Sequence, residues 1–96
     1  MILNFANKTA QDIYDGVLTR YARKVSIELH NKIRLLFDQI DAAYSLNDLK
    51  SPPGNHLKRL KGRLAEKWSI RVNDQWRIIF EWNGNDALNV EIIDYH

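Results

Sequence analysis

Residues 68–80 of the chain read "WSIRVNDQWRIIF". Two runs rich in Ile, Val, Trp and Phe, which are common strand residues, flank a polar Asn-Asp-Gln turn. If residues 73–75 form a three-residue loop, Val72 lies opposite Trp76 and one face of the pair is entirely apolar. A two-residue loop would mix apolar and polar side chains on both faces. The stretch therefore predicts an antiparallel hairpin with one buried face.

The same register places Arg71 directly across from Arg77 on the second face of the hairpin. Like charges that face each other across a strand pair are unfavourable, and the neighbouring Ser69 and Ile79 supply no acid. A phosphate is a suitable compensating anion, because guanidinium groups bind its oxygens in a bidentate manner. The alternative is that the two arginines point apart into water.

Helices are predicted before the hairpin. "MILNF" (residues 1–5) reads as a short strand, and residues 9–12 have the capping-box form that begins a helix, which we expect to end near Gly16. A longer second helix is predicted from apolar residues on one helical face. These residues are Val25, Leu29, Ile33, Leu36, Phe37, Ile40 and Ala43.

Strands dominate the second half of the chain. After a loop in "SLNDLKSPPGN" (residues 45–55), strand-like runs occur at 57–60, 68–72, 76–82 and 89–95. We therefore expect one small α+β domain over residues 1–96. Its N-terminal strand and two helices would accompany a mainly antiparallel sheet, with the helices packed on one face and the other face open.

Composition narrows the class of protein. The 96-residue chain has no cysteine, so it has no disulfide or thiolate metal site. Its apolar runs are too short to span a membrane and its start lacks a secretory signal, which predicts a cytoplasmic protein with no membrane partner. Residues 50–77 carry eight basic and two acidic side chains, a local balance of +6 within a net charge of +2. This excess is typical of a protein with a polyanion partner, and an ordinary solvated surface is the alternative that charge alone leaves open.

The three histidines differ in their expected roles. His30 is expected to face solvent on the second helix, and His56 is a secondary candidate for phosphate contact. His96 follows an apolar strand, and an imidazole changes charge near neutral pH, which suits proton transfer. No metal, nucleotide or dinucleotide motif occurs, so no cofactor is expected. The remaining Lys, Arg, Tyr and His side chains suit metal-independent phosphodiester cleavage.

"SPPGN" (residues 51–55), "SIRVNDQWRI" (residues 69–78) and "VEIIDYH" (residues 90–96) together resemble the HigB, or plasmid maintenance killer, toxins of the RelE/ParE superfamily. The resemblance covers nearly the whole chain. It implies a microbial-ribonuclease-like fold and a bacterial toxin that cuts translated messenger RNA in the ribosomal A site. It also implies a helix-turn-helix antitoxin of the HigA type, which neutralises the toxin and alone contacts operator DNA.

The resemblance also assigns residues. Arg77 would stabilise charge on the scissile phosphate, Lys61 would add positive charge or shuttle a proton, and His96 beside Tyr95 would be a general acid or base. Lys58 stands where family members have a histidine, so that role is lost or is taken by Lys58 or the nearby His56. The residues expected to contact RNA, mainly through its backbone, are His56, Lys58, Arg59, Arg63, Arg71 and Asp94.

Two rival functions stay open at this point. A ParE-like gyrase inhibitor would use the same fold without cleaving RNA. The other is a weakly catalytic or non-catalytic toxin that binds only ribosomes or antitoxin. It stays open because the chain has Lys58 where family members have a histidine.

Overall fold

Two helices and a four-stranded sheet dominate the computed structural model, which describes residues 1–50, 55–60 and 66–94. The helices are α1 (Lys8–Asp15) and α2 (His30–Ala42), and the strands are β1 (Lys58–Arg59), β2 (Lys67–Arg71), β3 (Trp76–Asn83) and β4 (Asp86–Asp94). Short 3-10 turns lie at Ala22–Lys24, Ile27–Leu29 and Leu46–Lys50. The strands pair antiparallel in the order β1-β2-β3-β4. The predicted α+β architecture is confirmed.

The first helix begins earlier than the sequence pattern indicates. Its N-cap is Asn7, whose Oδ1 accepts a hydrogen bond from the Ala10 amide at 3.0 Å. The expected cap, Thr9, lies inside the helix and donates its hydroxyl to the Tyr21 carbonyl at 3.0 Å. The helix ends as predicted at Gly16, whose φ of +75° is readily adopted by glycine.

The second helix begins later than the sequence pattern indicates, at His30, so Val25 and Leu29 precede it, and it buries the predicted apolar residues that it contains. Ile33, Phe37 and Ile40 are fully buried. The expectation that His30 faces solvent is wrong, since the residue is only 3% exposed. Its Nε2 lies 2.9 Å from the Ala22 carbonyl oxygen and 3.0 Å from that of Val25. The imidazole can be buried because it donates to carbonyls at the start of the first 3-10 turn and just after it.

The central hairpin has the predicted register. Trp68 pairs with Phe80, Ile70 with Ile78, and the Val72 amide donates to the Trp76 carbonyl at 3.0 Å. Residues 73–75 thus form a three-residue loop. The Asn73 Oδ1 accepts from the amides of residues 75 and 76 at 3.0 and 2.8 Å, which fixes the turn.

The N-terminal segment runs parallel to β4 and is joined to it at two isolated bridges rather than along a continuous ladder. Ile2 pairs with Ala87 and Phe5 with Val90. Between these bridges β4 has a bulge at Asn89, where φ is +50°. The Asn89 amide donates to the Asn4 Oδ1 at 2.9 Å, so a side chain bridges the two segments there.

The two faces of the sheet differ in their burial. The helices cover one face. The core between the helices and the sheet includes Ile13, Ile33, Phe37, Ile40, Ile70, Ile78, Phe80, Val90 and Ile92. The expectation that the other face stays open is wrong at its centre, since Ser69 and Ile79 there are 0% exposed. Arg77, which is half-buried and bonded to Ser69, contributes to this cover because a long cationic side chain can lie along the sheet.

A polar contact links the N-terminal segment to both helices. The Asp41 carboxylate, on α2, accepts the Ile2 amide at 2.7 Å and the Tyr14 hydroxyl at 2.7 Å. The hydrogen bond to Asp41, followed by partial burial, raises the pKa of the Tyr14 phenol above its ordinary value. The Tyr14 ring also packs on Phe5 and Phe37, with centroids 5.0 and 5.8 Å away. This contact therefore ties three parts of the chain together.

Candidate active site

Strand alternation collects four cations on the sheet face away from the helices. Trp68 and Ile70 of β2 take part in the apolar side of the sheet, so Lys67 and Arg71 of that strand lie on the other. Arg77 is opposite Arg71 on β3, and Lys58 of β1 is opposite Ser69 on β2. We call this surface the basic face and define its cations as Lys58, Lys67, Arg71 and Arg77.

Arg71 has a compensating partner that the sequence did not reveal. Its Nη2 pairs with the Oδ1 of Asp74 in the hairpin loop. Positions 69 and 79 of the strands carry no acid, but the loop residue Asp74 supplies one. Arg71 therefore does not need an external anion to offset its charge. The Asp74 side chain is 94% exposed, so the pair is accessible to water and to competing phosphate groups. Arg71 therefore carries less uncompensated charge than the sequence suggested.

Arg77 lies on an inner strand of the sheet, at the hairpin end of the basic face. It lies on β3, with Arg71 opposite on β2 and Ile93 opposite on β4, and it is half-buried. Its Nη1 donates to the Ser69 Oγ at 3.3 Å. A partly desolvated guanidinium in the middle of a sheet interacts more strongly with an anion than a fully exposed one. Arg77 is therefore the best placed described residue for charge stabilisation.

The other residues predicted to contact RNA do not all lie on the basic face. Lys58 joins the basic face, whereas Arg59 pairs with Trp68 and so lies on the opposite side of the sheet, at the exposed edge. The sequence could not show this, because the β1–β2 register depends on the connection between the strands. His56 is exposed just before β1 and has a φ of +47°, which is uncommon for a non-glycine residue.

Asp94 lies at the end of β4 and pairs with Trp76, two residues beyond the buried Ile92. Its Oδ2 accepts the Gln75 side-chain amide at 3.1 Å. This bond connects the hairpin loop to the last described residue of the chain. Asp94 is therefore held beside the hairpin loop, on the side of the sheet that Trp76 shares, which is the side opposite to the basic face.

Four of the predicted site residues fall outside the described residues: Lys61, Arg63, Tyr95 and His96. Within residues 1–50, 55–60 and 66–94, no group of three or more His, Cys, Asp or Glu side chains could hold a metal ion. The same ranges contain no helix long and apolar enough to cross a membrane. Sequence reasoning missed Ser69 and Lys67 as parts of the site, although alternation from Arg71 would have placed both on its face.

Solved toxin structures share this arrangement of helices and sheet. The chain is similar to the toxin in the YoeB-YefM complex from Staphylococcus aureus, with a TM-score of 0.62 and 22% identity over 98% of this chain and 97% of that one. It is also similar to the YoeB/ParE toxin from Agrobacterium tumefaciens, with a TM-score of 0.55 and 16% identity over 94% of each chain. The chain thus shares the fold of these toxin structures.

Sequence comparison defines the family within that class. The family model for the RelE-like toxin of type II toxin-antitoxin system HigB matches residues 3–96. Toxin HigB-1 of Vibrio cholerae is 36% identical over 89 residues, which cover 93% of this chain and 92% of that protein. An uncharacterised protein of Haemophilus influenzae is 37% identical over 67 residues, or 70% of this chain. The chain belongs to the HigB-like toxin family of type II toxin-antitoxin systems.

Proposed function

We propose that this toxin is a ribosome-dependent endoribonuclease that cleaves translated messenger RNA in the A site by metal-independent acid-base chemistry. The observation that carries the proposal is the position of Arg77, half-buried on the inner strand β3 and hydrogen-bonded to Ser69. Charge that develops on a phosphate during cleavage is stabilised best by cations held in place before the reaction. Arg77 is arranged in this way.

The proposed reaction follows from the needs of RNA cleavage. A base removes the proton of a 2′-hydroxyl, the oxygen attacks the adjacent phosphorus, and an acid protonates the departing 5′-oxygen. Arg77 stabilises the charge on the phosphate oxygens, and Lys61 adds positive charge or shuttles a proton. His96, with Tyr95 beside it, serves as a general acid or base. The roles of these last three residues rest on the family resemblance.

The RNA path in this proposal follows the basic face. Lys58 and Arg71 contact backbone phosphates next to the scissile one, together with His56 and Arg63, and these contacts position the toxin without reading sequence. Arg71 exchanges its Asp74 carboxylate for a phosphate when RNA binds. Arg59, on the other side of the edge strand, contacts RNA only at that edge.

We further propose that a HigA-type helix-turn-helix antitoxin neutralises the toxin in the cytoplasm, where ribosomes are found. The family is defined by toxin-antitoxin pairs, and the similar Staphylococcus aureus structure is itself a toxin-antitoxin complex. A short helix-turn-helix gene next to the toxin gene would support this assignment. Failure of its product to bind the toxin or relieve growth arrest would contradict it.

The test is induced expression of four chains in growing bacteria: wild type, Arg77→Ala, a chain lacking Tyr95 and His96, and Arg23→Ala. Arg23 is exposed on the first 3-10 turn, away from the sheet, and is the matched arginine control. Messenger-RNA ends are mapped during translation. We expect new ends and growth arrest with wild type and Arg23→Ala only. Equal arrest by all four chains without new RNA ends would show that the toxin is not a nuclease, and inhibition of purified gyrase would then favour the ParE-like function.

A further inference from the structure

Ser69 is a buried polar residue on an otherwise charged and apolar face. It lies on β2 with Lys58 opposite on one side and Ile79 on the other, and it is 0% exposed. Its Oγ accepts a hydrogen bond from Arg77 Nη1 at 3.3 Å. Ser is a weaker strand former than the Ile, Val and Trp around it, so strand propensity does not explain its presence. The contact with Arg77 offers another explanation.

The geometry of the strand pair explains why a small side chain is needed. Ser69 faces Ile79, so Arg77 is its diagonal neighbour across the β2–β3 pair. Diagonal neighbours are about 7–8 Å apart and can be bridged only by a long side chain that extends over the intervening backbone. A long or aromatic residue at position 69 would occupy the space in which the guanidinium lies. A small residue with a hydroxyl both leaves that space and supplies an acceptor.

The hydrogen bond also separates two facing arginines. Arg71 pairs with Asp74, three residues further along toward the loop, whereas Arg77 bonds to Ser69, two residues back along β2. The Arg71 guanidinium is thus held toward the loop and the Arg77 guanidinium away from it, so the two groups do not face each other directly. The hydroxyl of Ser69 orients Arg77 without adding a negative charge, whereas Asp74 partly neutralises Arg71.

We infer that Ser69 is a positioning residue that fixes the direction of the Arg77 guanidinium toward the scissile phosphate. This inference rests on the proposed function, in which Arg77 contacts that phosphate. Ser69 itself is buried and makes no contact with RNA. Because positioning affects the transition state rather than ribosome binding, its loss lowers kcat and leaves KM unchanged.

The test compares Ser69→Ala, Ser69→Thr and Thr9→Val in a reconstituted cleavage assay on ribosomes with a defined messenger RNA. Thr9→Val is the matched control, since it removes another buried hydroxyl, which donates to the Tyr21 carbonyl at 3.0 Å in the helix layer. We expect Ser69→Ala to lower kcat by about 5- to 20-fold, the loss of one hydrogen bond, with KM unchanged. Ser69→Thr, which keeps the hydroxyl, retains most of the rate, and Thr9→Val cleaves like wild type.

Three results would overturn the inference. These are a wild-type kcat for Ser69→Ala, an equal loss for Ser69→Ala and Ser69→Thr, or the same loss for Thr9→Val, which would indicate general destabilisation. Arg77→Ala, measured in the same assay, separates this inference from the proposed function. If Arg77→Ala is inactive and Ser69→Ala is fully active, only the positioning role is wrong. If Arg77→Ala cleaves like wild type, the role proposed for Arg77 is wrong as well.

Discussion

Arg71 and Arg77 are direct cross-strand partners on β2 and β3, and their guanidinium groups bond to different acceptors, Asp74 for the first and Ser69 for the second. Like charges in facing positions destabilise a sheet, so this separation relieves part of the repulsion. In the proposed function, phosphate bound to this face offsets the repulsion that remains. The relationship gives Arg71 and Arg77 different electrostatic surroundings, and their substitutions should therefore have different effects.

Asp74→Asn should strengthen RNA binding with little effect on stability. The change frees Arg71 from its carboxylate, so that Arg71 can bind a phosphate without first losing an ion pair. Because the pair is exposed, we expect the free energy of unfolding to change by less than about 1 kcal/mol. Affinity for a short single-stranded RNA should rise, and should fall more steeply with salt than it does for wild type. The control is Asp15→Asn, on the exposed end of α1, which makes the same change in net charge and should raise RNA affinity less. Equal increases in affinity would contradict a local role for Asp74.

Arg77→Lys should lose most cleavage activity although it keeps the positive charge. Lysine has no planar fork and cannot bond to Ser69 and a phosphate in the same geometry. We expect kcat to fall by about 100-fold, the usual cost of losing a stabilising donor at a developing negative charge. Arg71→Lys is the matched control and should mainly weaken ribosome binding. If the two variants lost kcat equally, the central role of Arg77 would be wrong.

The buried His30 should be required for stability rather than for cleavage. His30→Phe fills the space but removes the imidazole donor from the Val25 carbonyl and leaves the Ala22 carbonyl with the Val25 amide, which we expect to cost about 1 to 3 kcal/mol of unfolding free energy. His30→Gln can still donate and should lose less. Denaturant unfolding measures both variants. A His30→Phe chain as stable as wild type would show that the imidazole bonds contribute little.

The features that the sequence predicted are those that depend on periodicity. Alternation along the hairpin gave the Arg71–Arg77 pairing, and helical spacing gave the buried face of α2. The pairing of Arg71 with Asp74 was missed because it depends on the direction in which a loop turns. His30 was missed because its partners are carbonyls of another turn, which no side-chain pattern reveals. The position of Arg59 was missed because the register of a two-residue strand is set by its connection.

The Tyr14–Asp41 hydrogen bond should make stability depend on pH in the alkaline range. The carboxylate of Asp41 favours the neutral phenol and raises the pKa of Tyr14 in the folded state. A raised pKa means that the contribution to stability is complete below the ordinary tyrosine pKa of about 10 and is lost as pH rises through the folded-state value. As pH rises above about 10, the unfolding free energy should therefore fall more steeply in wild type than in Tyr14→Phe. The control is Tyr44→Phe, which removes a tyrosine that is 78% exposed and should leave the pH dependence of stability as in wild type. If Tyr14→Phe kept the wild-type pH dependence, the Tyr14–Asp41 bond would not be the source of that dependence.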